Sequence, residues 1–205
     1  PLILIGNLFG SEQFIAGEDR MSFLDLAKRR YSVRSYAQRK VEKEKLEYII
    51  EAGRVAPTAA NVQPQRVLVI ESDEGIVKLR RAANIYNAQT AFIVFGDGGD
   101  VWTRPQDGKK TIDIDASIVT DHMLHAATDM GLGTLWMTWF DPAVIMKEFN
   151  VPKNYVPVNL LLIGYAAGNP LSPDRHSRTR KELEDTVFYE EFPAVNAESD
   201  ATGAA

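Results

Sequence analysis

The sequence predicts one domain in which helices cover both faces of a central β-sheet, in the α/β or α+β class. Two observations predict this class. Helical patterns alternate along the chain with short apolar runs rich in β-branched residues. Those runs lack the apolar–polar alternation of a half-exposed strand, so both of their faces are expected to be buried. The chain has 205 residues, 45% of them hydrophobic and 25% charged, which suits one domain with a sizeable core.

Helix and strand signals alternate through the first half of the chain. Ser22 is the expected N-cap of a short helix that runs through Arg30. Leu46, Ile49 and Gly53 recur at helical spacing in a second helix, and Gly53 is expected where two backbones approach closely. The expected elements are helix 22–30, helix 42–53, loop 56–64, strand 66–71, helix 73–83 and strand 90–95.

The second half opens with a polar, glycine-rich segment, 96–110, which we expect to be irregular. The clearest helix follows at 113–130 and ends at Gly131, a residue type favoured just after a helix. Asp141 and Pro142 then begin a helix that ends before Val151. Strands are expected at 134–137 and 156–165. Steps of three and four residues define the apolar stripe of the long helix, which comprises Ile112, Ala116, Val119, Met123, Ala126 and Met130.

Composition excludes several classes of function. The chain has no cysteine, which removes disulfides, thiolate metal sites and a cysteine nucleophile. Its net charge of −5 gives no basic field for nucleic acid, and no apolar run is long enough to span a bilayer. We therefore expect a cytoplasmic protein. Residues 1–20 are expected to be an N-terminal extension, natural or introduced, residues 21–193 the folded domain, and residues 194–205 a disordered tail.

Two basic clusters on this acidic chain suggest an anion site. Arg30, Ser32 and Arg34 alternate, so in an extended segment they point the same way. Arginine offers paired donors to phosphate oxygens, and a second cluster, Arg178 and Arg180 with Lys181, could share the same anion. The alternative is that both clusters are solvated surface charge.

Two further segments complete the pattern. The loop 56–64 has the sequence APTAANVQP, and residues 131–136 have the sequence GLGTLW at the end of the long helix. Each alone is typical of a plain loop or of a helix end followed by a strand. Taken in order, the four segments resemble the nitroreductase family of FMN flavoproteins, and the resemblance extends from Phe23 to Phe192.

This resemblance implies a mixed sheet wrapped by helices, built as an intertwined homodimer with FMN bound at the interface by both subunits. It implies an FMN-dependent oxidoreductase that passes reducing equivalents from NAD(P)H to small acceptors such as nitroaromatics or quinones by a ping-pong mechanism. The flavin carries the chemistry, so no side chain is expected to act as a catalyst. Arg34 is expected near the flavin N1/O2 edge, where its charge tunes the flavin. The other implied flavin contacts are Arg30, Ser32, Arg178 and Arg180 at the phosphate and ribityl chain, Pro57, Thr58, Ala59 and Asn61 from the partner subunit, and Leu135, Trp136, Met137 and Thr138 along the ring.

The chain departs from the family pattern at Trp139, where relatives commonly have a small residue, and at Gln65, where an aromatic residue often follows Gln-Pro. Trp139 is expected to narrow the pocket, and Trp102 lies in a segment that could cover the substrate channel. The alternative functions are a specialised flavin enzyme of the same family, dehalogenase-like or dehydrogenase-like, and a flavin-binding or storage protein without turnover.

The long helix offers two other candidate sites. His122 and His125 lie on one flank that also carries Asp115 and Asp129, so a metal site is conceivable there. Asp113 and Asp115 could form a pair of acids for hydrolysis. Histidine and aspartate on the flank and first turn of a helix are ordinary, however, and no bound metal is expected.

Overall fold

The structure, a computed structural model, describes residues 21–193, and these form an α+β domain, as predicted. The predicted extension 1–20 and tail 194–205 lie outside the described residues. No helix within 21–193 combines the length and the apolarity needed to cross a membrane. The helices are α1 (Phe23–Arg29), α2 (Lys43–Arg54), α3 (Asp73–Ala82), α4 (Ile112–Asp129), α5 (Pro142–Glu148) and α6 (His176–Thr179). The strands are β1 (Gln65–Ile70), β2 (Thr90–Asp97), β3 (Gly133–Met137) and β4 (Tyr155–Gly164).

The four strands form one sheet in the order β1-β2-β4-β3, and every neighbouring pair is antiparallel. Parallel pairing within 21–193 is confined to an isolated bridge between Ser32 and Thr134. The strands β2 and β4 occupy the centre, and the register between them shifts at Val94/Phe95. Within residues 21–193, β1 has no strand on its outer side and β3 meets only the isolated bridge from Ser32 there, so polar groups can lie beside both strands.

Both faces of the sheet are covered, as the unbroken apolar runs predict. Alternate residues of the central strands point to opposite faces. Ile93 and Leu162 pack with α3 and α5 in one core, whereas Phe92 and Leu161 pack with α2 and α4 in the other. Every residue of β2 is buried.

Ser22 and Gly131, which predicted a helix start and a helix end from the sequence, lie at such positions in the structure. The hydroxyl oxygen of Ser22 accepts a hydrogen bond from the Asp25 N–H at 3.1 Å, and Gly131 has a φ of +75°. The close approach expected at Gly53 involves a side chain rather than a second backbone: a Cβ there would lie 2.7 Å from Cγ of Met123 on α4. After Tyr165, the short turns Pro173–Arg175 and Leu183–Asp185 flank α6, and the second turn follows Lys181, where the acidic residues indicate the start of a helix.

Tyr165 connects the end of β4 to the start of α2. Its hydroxyl donates a hydrogen bond to Oε2 of Glu42 at 2.6 Å and accepts one from Nζ of Lys45 at 3.1 Å. The Lys45 ammonium also donates to the Met130 carbonyl oxygen at 2.9 Å, and the Arg39 guanidinium lies 3.8 Å from the centre of the Tyr165 ring. The hydrogen bond from Tyr165, followed by those from the backbone of Glu42 and from Arg39, lowers the pKa of Glu42 from 4.5 to about 2.

The depressed pKa predicts a pH-dependent contribution of Glu42 to stability. Ionised Glu42 stabilises the fold above about pH 4.5, and this contribution is lost as the pH falls toward about 2. We expect Glu42→Gln to lower the melting temperature at neutral pH, and its difference from wild type to narrow as the solution is acidified. Thermal unfolding followed by circular dichroism measures both. Glu44→Gln, an exposed change in the first turn of the same helix, is the control, and a Glu42 effect independent of pH would contradict the prediction.

Candidate functional site

Three guanidinium groups converge where the chain around α6 meets the end of α1. Arg30 is the C-cap of α1, Arg175 immediately precedes α6, and Arg180 is the C-cap of α6. The Arg175 side chain donates hydrogen bonds to the carbonyl oxygens of Lys28, at 3.0 Å, and of Arg30. These bonds attach the start of α6 to α1, and Arg30, Arg175 and Arg180 together form the arginine cluster.

The arginine cluster carries more positive charge than its surroundings neutralise. Burial lowers the pKa of Arg30, and the charges of Arg175 and Arg180 lower it further. Asp121 acts in the opposite direction, but it is the weakest of the four influences. An anion among these groups would relieve their repulsion. A phosphate matches them well, because each guanidinium can donate two parallel hydrogen bonds to phosphate oxygens.

Two of the predicted phosphate residues, Arg30 and Arg180, lie in this cluster, and Arg175 is a member that the sequence analysis missed. Arg178 is exposed and is not among the charges that alter the pKa of Arg30. Arg175 stands outside the Arg-x-Arg pair that drew attention in the sequence. Arg175 lies five residues before Arg180, and the four residues of α6 between them bring both arginines to the same cluster. A third arginine close to the pair is the sequence signal that points to it.

The segment 30–34 lies directly beside the segment 131–136, at the start of β3. Ser32 forms the parallel bridge to Thr134, and the Val33 N–H donates to the Thr134 carbonyl oxygen at 2.9 Å. Gly133 permits this approach, because a Cβ there would lie 2.7 Å from Cγ2 of Val33. Arg34 is exposed next to the bridge, with its guanidinium 3.4 Å from the Ser32 carbonyl oxygen. The contact therefore aligns the segment 30–34 with the start of β3.

The residues predicted to run along a flavin ring, 135–138, come directly after Thr134 in the chain. They differ in their exposure to solvent. Leu135 is buried in the core, so it can reach a ligand only through its backbone. Trp136 and Met137 are half-buried, and Thr138 is exposed. Trp139, the departure from the family pattern, is 89% exposed. Ligand contacts are therefore available from the backbone of β3 and from the side chains at its end.

The loop 56–64 adopts a strained backbone. Ala60, Asn61 and Gln63 have positive φ angles of 50°, 55° and 59°. The left-handed region costs a non-glycine residue on the order of 1 kcal/mol, and such residues cluster where a surrounding structure enforces them. One local restraint is the Gln63 N–H, which donates to Oγ1 of Thr58 at 3.1 Å. Pro57, Thr58 and Asn61 keep exposed surface and are free to contact a ligand.

Asp115 is the second restraint on the loop. Its side chain lies in the first turn of α4, and the residue is 1% exposed. Oδ1 accepts a hydrogen bond from the Ala59 N–H at 2.9 Å, and Oδ2 accepts one from the Thr111 hydroxyl at 2.7 Å. Asp115 was a conceivable member of a metal site or of an acid pair with Asp113, and neither site was expected. Its carboxylate is buried, and both of its oxygens accept hydrogen bonds from the protein.

The loop and the arginine cluster of one chain lie at opposite ends of α4. The loop is anchored at Asp115, whereas Arg30 and Thr128 line one small cavity near the last turn. Thr128 lies thirteen positions after Asp115 in the helix, which corresponds to about 20 Å along the helix axis. One chain therefore presents two separate parts of the predicted site.

The two α4 histidines are held by their own helix. Nδ1 of His122 lies 2.9 Å from the Ile118 carbonyl oxygen, and Nδ1 of His125 lies 3.0 Å from that of Asp121. The His125 ring also contacts the Phe23 ring, with 5.2 Å between their centres. Residues 21–193 contain no group of three or more histidine, cysteine, aspartate or glutamate side chains placed to hold a metal ion.

The model of the nitroreductase family matches this chain over residues 27–92 and 77–165. The chain belongs to the nitroreductase family. A solved nitroreductase family protein from Clostridium difficile 630 is 53% identical, with a TM-score of 0.83 over 84% of this chain and 100% of that protein. A solved Exiguobacterium sibiricum protein in complex with FMN is 26% identical, with a TM-score of 0.68 over 83% and 98% of the two chains. A Bacillus subtilis protein whose name proposes an NAD(P)H nitroreductase is 30% identical over 185 residues, which span 71% of this chain and 88% of the relative.

Local contacts hold two other segments of this nitroreductase family member, around Asn84 and around Trp102. Arg81 is paired with Glu148 at 2.7 Å, and Oδ1 of Asn84 accepts a hydrogen bond from the Tyr86 N–H at 3.1 Å. The carbonyl oxygen of Trp102 accepts a hydrogen bond from the Thr111 N–H at 3.1 Å, and the Thr111 hydroxyl oxygen lies 3.2 Å from it. The segment 101–110 is thereby attached to the start of α4.

We expect Asp115→Ala to release the loop 56–64. The Ala59 N–H and the Thr111 hydroxyl would each lose a buried partner, which costs about 1–3 kcal/mol per group. The variant should melt at a lower temperature, and the Ala59 amide should exchange its hydrogen faster. Thermal unfolding and hydrogen exchange read by NMR measure these effects. Asp113→Ala, an exposed change in the same helical turn, should alter neither, and unchanged exchange at Ala59 in Asp115→Ala would refute the anchoring role.

Proposed function

We propose that this protein is an FMN-dependent oxidoreductase that takes reducing equivalents from NAD(P)H and passes them to small acceptors such as nitroaromatics or quinones. The arginine cluster carries this proposal. It is a partly buried cationic site with too little negative charge of its own, and it suits the terminal phosphate of FMN. The FMN complex of the Exiguobacterium relative and the NAD(P)H nitroreductase name of the Bacillus relative support the same cofactors.

The residues present fit FMN at both of its ends. Arg30, Arg175 and Arg180, together with Arg178 and Ser32, would hold the phosphate and the ribityl chain. The contact between Val33 and Thr134 places the phosphate-binding segment beside β3, so one ligand can extend from the cluster along the strand. Leu135, through its backbone, and Trp136, Met137 and Thr138 would lie along the ring.

When bound, FMN supplies the hydride chemistry, and the chain supplies binding and orientation. Arg34 would place a fixed positive charge at the N1/O2 edge of the ring, where negative charge accumulates on reduction. No side-chain nucleophile is needed, because positioning of donor and acceptor provides the main advantage. One site serves both molecules in turn, which gives ping-pong kinetics.

Two features support an intertwined homodimer. The loop contacts from Pro57, Thr58, Ala59 and Asn61 lie at the opposite end of α4 from the arginine cluster, so a partner subunit would deliver them to each flavin. The segment 167–193 buries none of its residues against its own chain, although it is rich in large apolar side chains. Exposed apolar surface of this extent is typical of an interface. The exposed apolar residues of the segment are Leu171, Leu183, Val187, Phe188, Tyr189 and Phe192.

The exposure of Trp139 favours one alternative, a specialised acceptor within the same family. The exposed indole beside Met137 is a large side chain at a position where relatives commonly have a small residue, so it would change which acceptors fit there. Dehalogenase-like or dehydrogenase-like activity would be compatible with the same cofactor site.

The purified protein tests the proposed function directly. We expect heat-released flavin to run as FMN on chromatography, and light scattering to give the mass of two chains. NAD(P)H should be oxidised only when an acceptor is present, with the parallel reciprocal plots of a ping-pong mechanism. A colourless protein that does not bind added FMN would contradict the proposal. Flavin binding without turnover would indicate a flavin-storage protein.

Loss of one cluster arginine should weaken FMN binding. Hydrogen bonds to charged groups contribute about 1.5–3 kcal/mol, so Arg30→Ala or Arg180→Ala should raise the dissociation constant roughly ten- to hundredfold. Titration of the apoprotein with FMN, followed by flavin fluorescence, measures this. Arg29→Ala makes the same charge change at an exposed neighbour that does not alter the pKa of Arg30, and it should have a much smaller effect. Equal dissociation constants for all three variants would contradict the phosphate assignment.

A further inference from the structure

A small cavity lies where the end of α1, the last turn of α4 and the start of β3 meet. Its volume is about 40 Å³. A water molecule needs roughly 10–15 Å³ of cavity, so water fits here and an organic ring does not. We call it the Thr134 cavity, and its lining includes Arg30, Tyr31, Thr128, Leu132, Gly133 and Thr134.

The Thr134 hydroxyl is a buried polar group that has no hydrogen-bond partner within residues 21–193. The residue is 1% exposed, so bulk water does not reach it. Its backbone is already engaged, because the Thr134 carbonyl oxygen accepts the hydrogen bond from the Val33 N–H at 2.9 Å. Native proteins satisfy buried hydroxyls with a protein group or with an ordered water. The cavity that Thr134 lines is therefore where its partner must lie.

The other polar groups of the lining suit a water molecule, which needs two to four partners. The Thr128 hydroxyl donates its only hydrogen to the Leu124 carbonyl oxygen at 2.9 Å, so towards the cavity its oxygen can only accept. A water can donate to that oxygen, whereas a halide ion cannot. Arg30 adds guanidinium donors to the lining, and none of the residues around the cavity is acidic, which disfavours a cation.

Arg30 is held by its backbone rather than by its side chain. Its N–H donates to the Leu26 carbonyl oxygen at 3.1 Å, and its own carbonyl oxygen accepts from Arg175. Within residues 21–193, its guanidinium makes no hydrogen bond and no ion pair. A long side chain loses rotamer freedom when it binds an anion, and any contact that orders it beforehand reduces this loss. A water bound next to Arg30 would provide such a contact.

Resting on the proposed function, we propose that the Thr134 cavity holds one ordered water, and that Thr134 is a positioning residue for Arg30 that acts through this water. The water accepts hydrogen bonds from the Thr134 hydroxyl and from the Arg30 guanidinium, and it donates one to the Thr128 oxygen. Arg30 is thereby ordered before an anion arrives. Thr134 then affects the affinity for the phosphate end of a ligand and not the affinity for a flavin ring.

A comparison of FMN with riboflavin, which has the same ring and no phosphate, tests this role. Thr134→Val removes the hydroxyl and keeps the shape of the side chain. We expect it to raise the dissociation constant of FMN about three- to tenfold and to leave that of riboflavin unchanged, whereas Thr134→Ser should restore FMN affinity. Titration of the apoprotein, followed by flavin fluorescence, measures both. An equal loss for the two flavins, or no loss for either, would overturn the positioning role.

Two further variants test whether the effect passes through a shared water. Thr128→Val removes the second partner of the water and should also weaken FMN binding. The double variant should lose no more than Thr134→Val alone, because the water is already gone, and fully additive losses would contradict a shared water. Thr120→Val is the matched control. It removes a buried hydroxyl of the same helix, which lies 2.8 Å from the Ala116 carbonyl oxygen, and should lower the melting temperature without changing the FMN-to-riboflavin ratio.

A crystal structure at high resolution shows the occupant of the cavity directly. We expect one ordered water within hydrogen-bond distance of Oγ1 of Thr134 in wild type and none in Thr134→Val. Crystals grown in bromide provide the check for a halide, since an anomalous peak in the cavity would assign an anion and overturn the proposal. A Thr134 hydroxyl bonded directly to a protein acceptor would overturn it as well.

Inorganic phosphate separates this role of Thr134 from the proposed function. Calorimetric titration of the apoprotein with phosphate should show weaker binding in Thr134→Val than in wild type. If the protein bound no flavin but kept the water and a Thr134-dependent affinity for phosphate, the proposed function would fail and the positioning role would stand. Flavin turnover with an FMN-to-riboflavin ratio that does not depend on Thr134 would leave the oxidoreductase intact and remove the positioning role.

Discussion

The central strands β2 and β4 are buried on both faces, and this constraint determines where the polar groups of the molecule can lie. Helices α3 and α5 cover one face and α2 and α4 the other, so a charged ligand has no access to the middle of the sheet. Binding groups must gather at helix ends and along an outer strand. The strand β3 meets both conditions, because it is an outer strand of the sheet and the segment after α1 lies along its start.

Helix α4 separates two groups of predicted binding residues within one chain. One end of the helix anchors the strained loop through Asp115, and the other end lies near Arg30. A buried carboxylate with both oxygens hydrogen-bonded is a firm anchor, so the loop keeps its left-handed residues before any ligand arrives. A site assembled from two copies accounts for this separation, and it also gives the exposed apolar segment 167–193 a surface to cover.

The sequence predicted the parts of the fold that local chemistry controls. Ser22 and Gly131 act within one helical turn, and the apolar runs of the central strands need only their own composition to predict burial on both faces. Three features have no local signal. The strand order depends on pairings between distant segments, and both the contact of Asp115 with Ala59 and that of Arg175 with Arg30 join residues far apart in the sequence. The family resemblance supplied the remaining site residues because it encodes tertiary proximity that periodicity alone does not contain.

The burial of the arginine cluster bears on the kind of anion that suits it. Arg30 is half-buried among like charges, so an empty arginine cluster is electrostatically unfavourable and a bound anion relieves the repulsion. Arg34 is exposed, and water solvates its charge whether or not a ligand is present. A resident phosphate therefore suits the half-buried cluster better than an exposed arginine, so burial distinguishes the two roles proposed for these residues where charge alone does not.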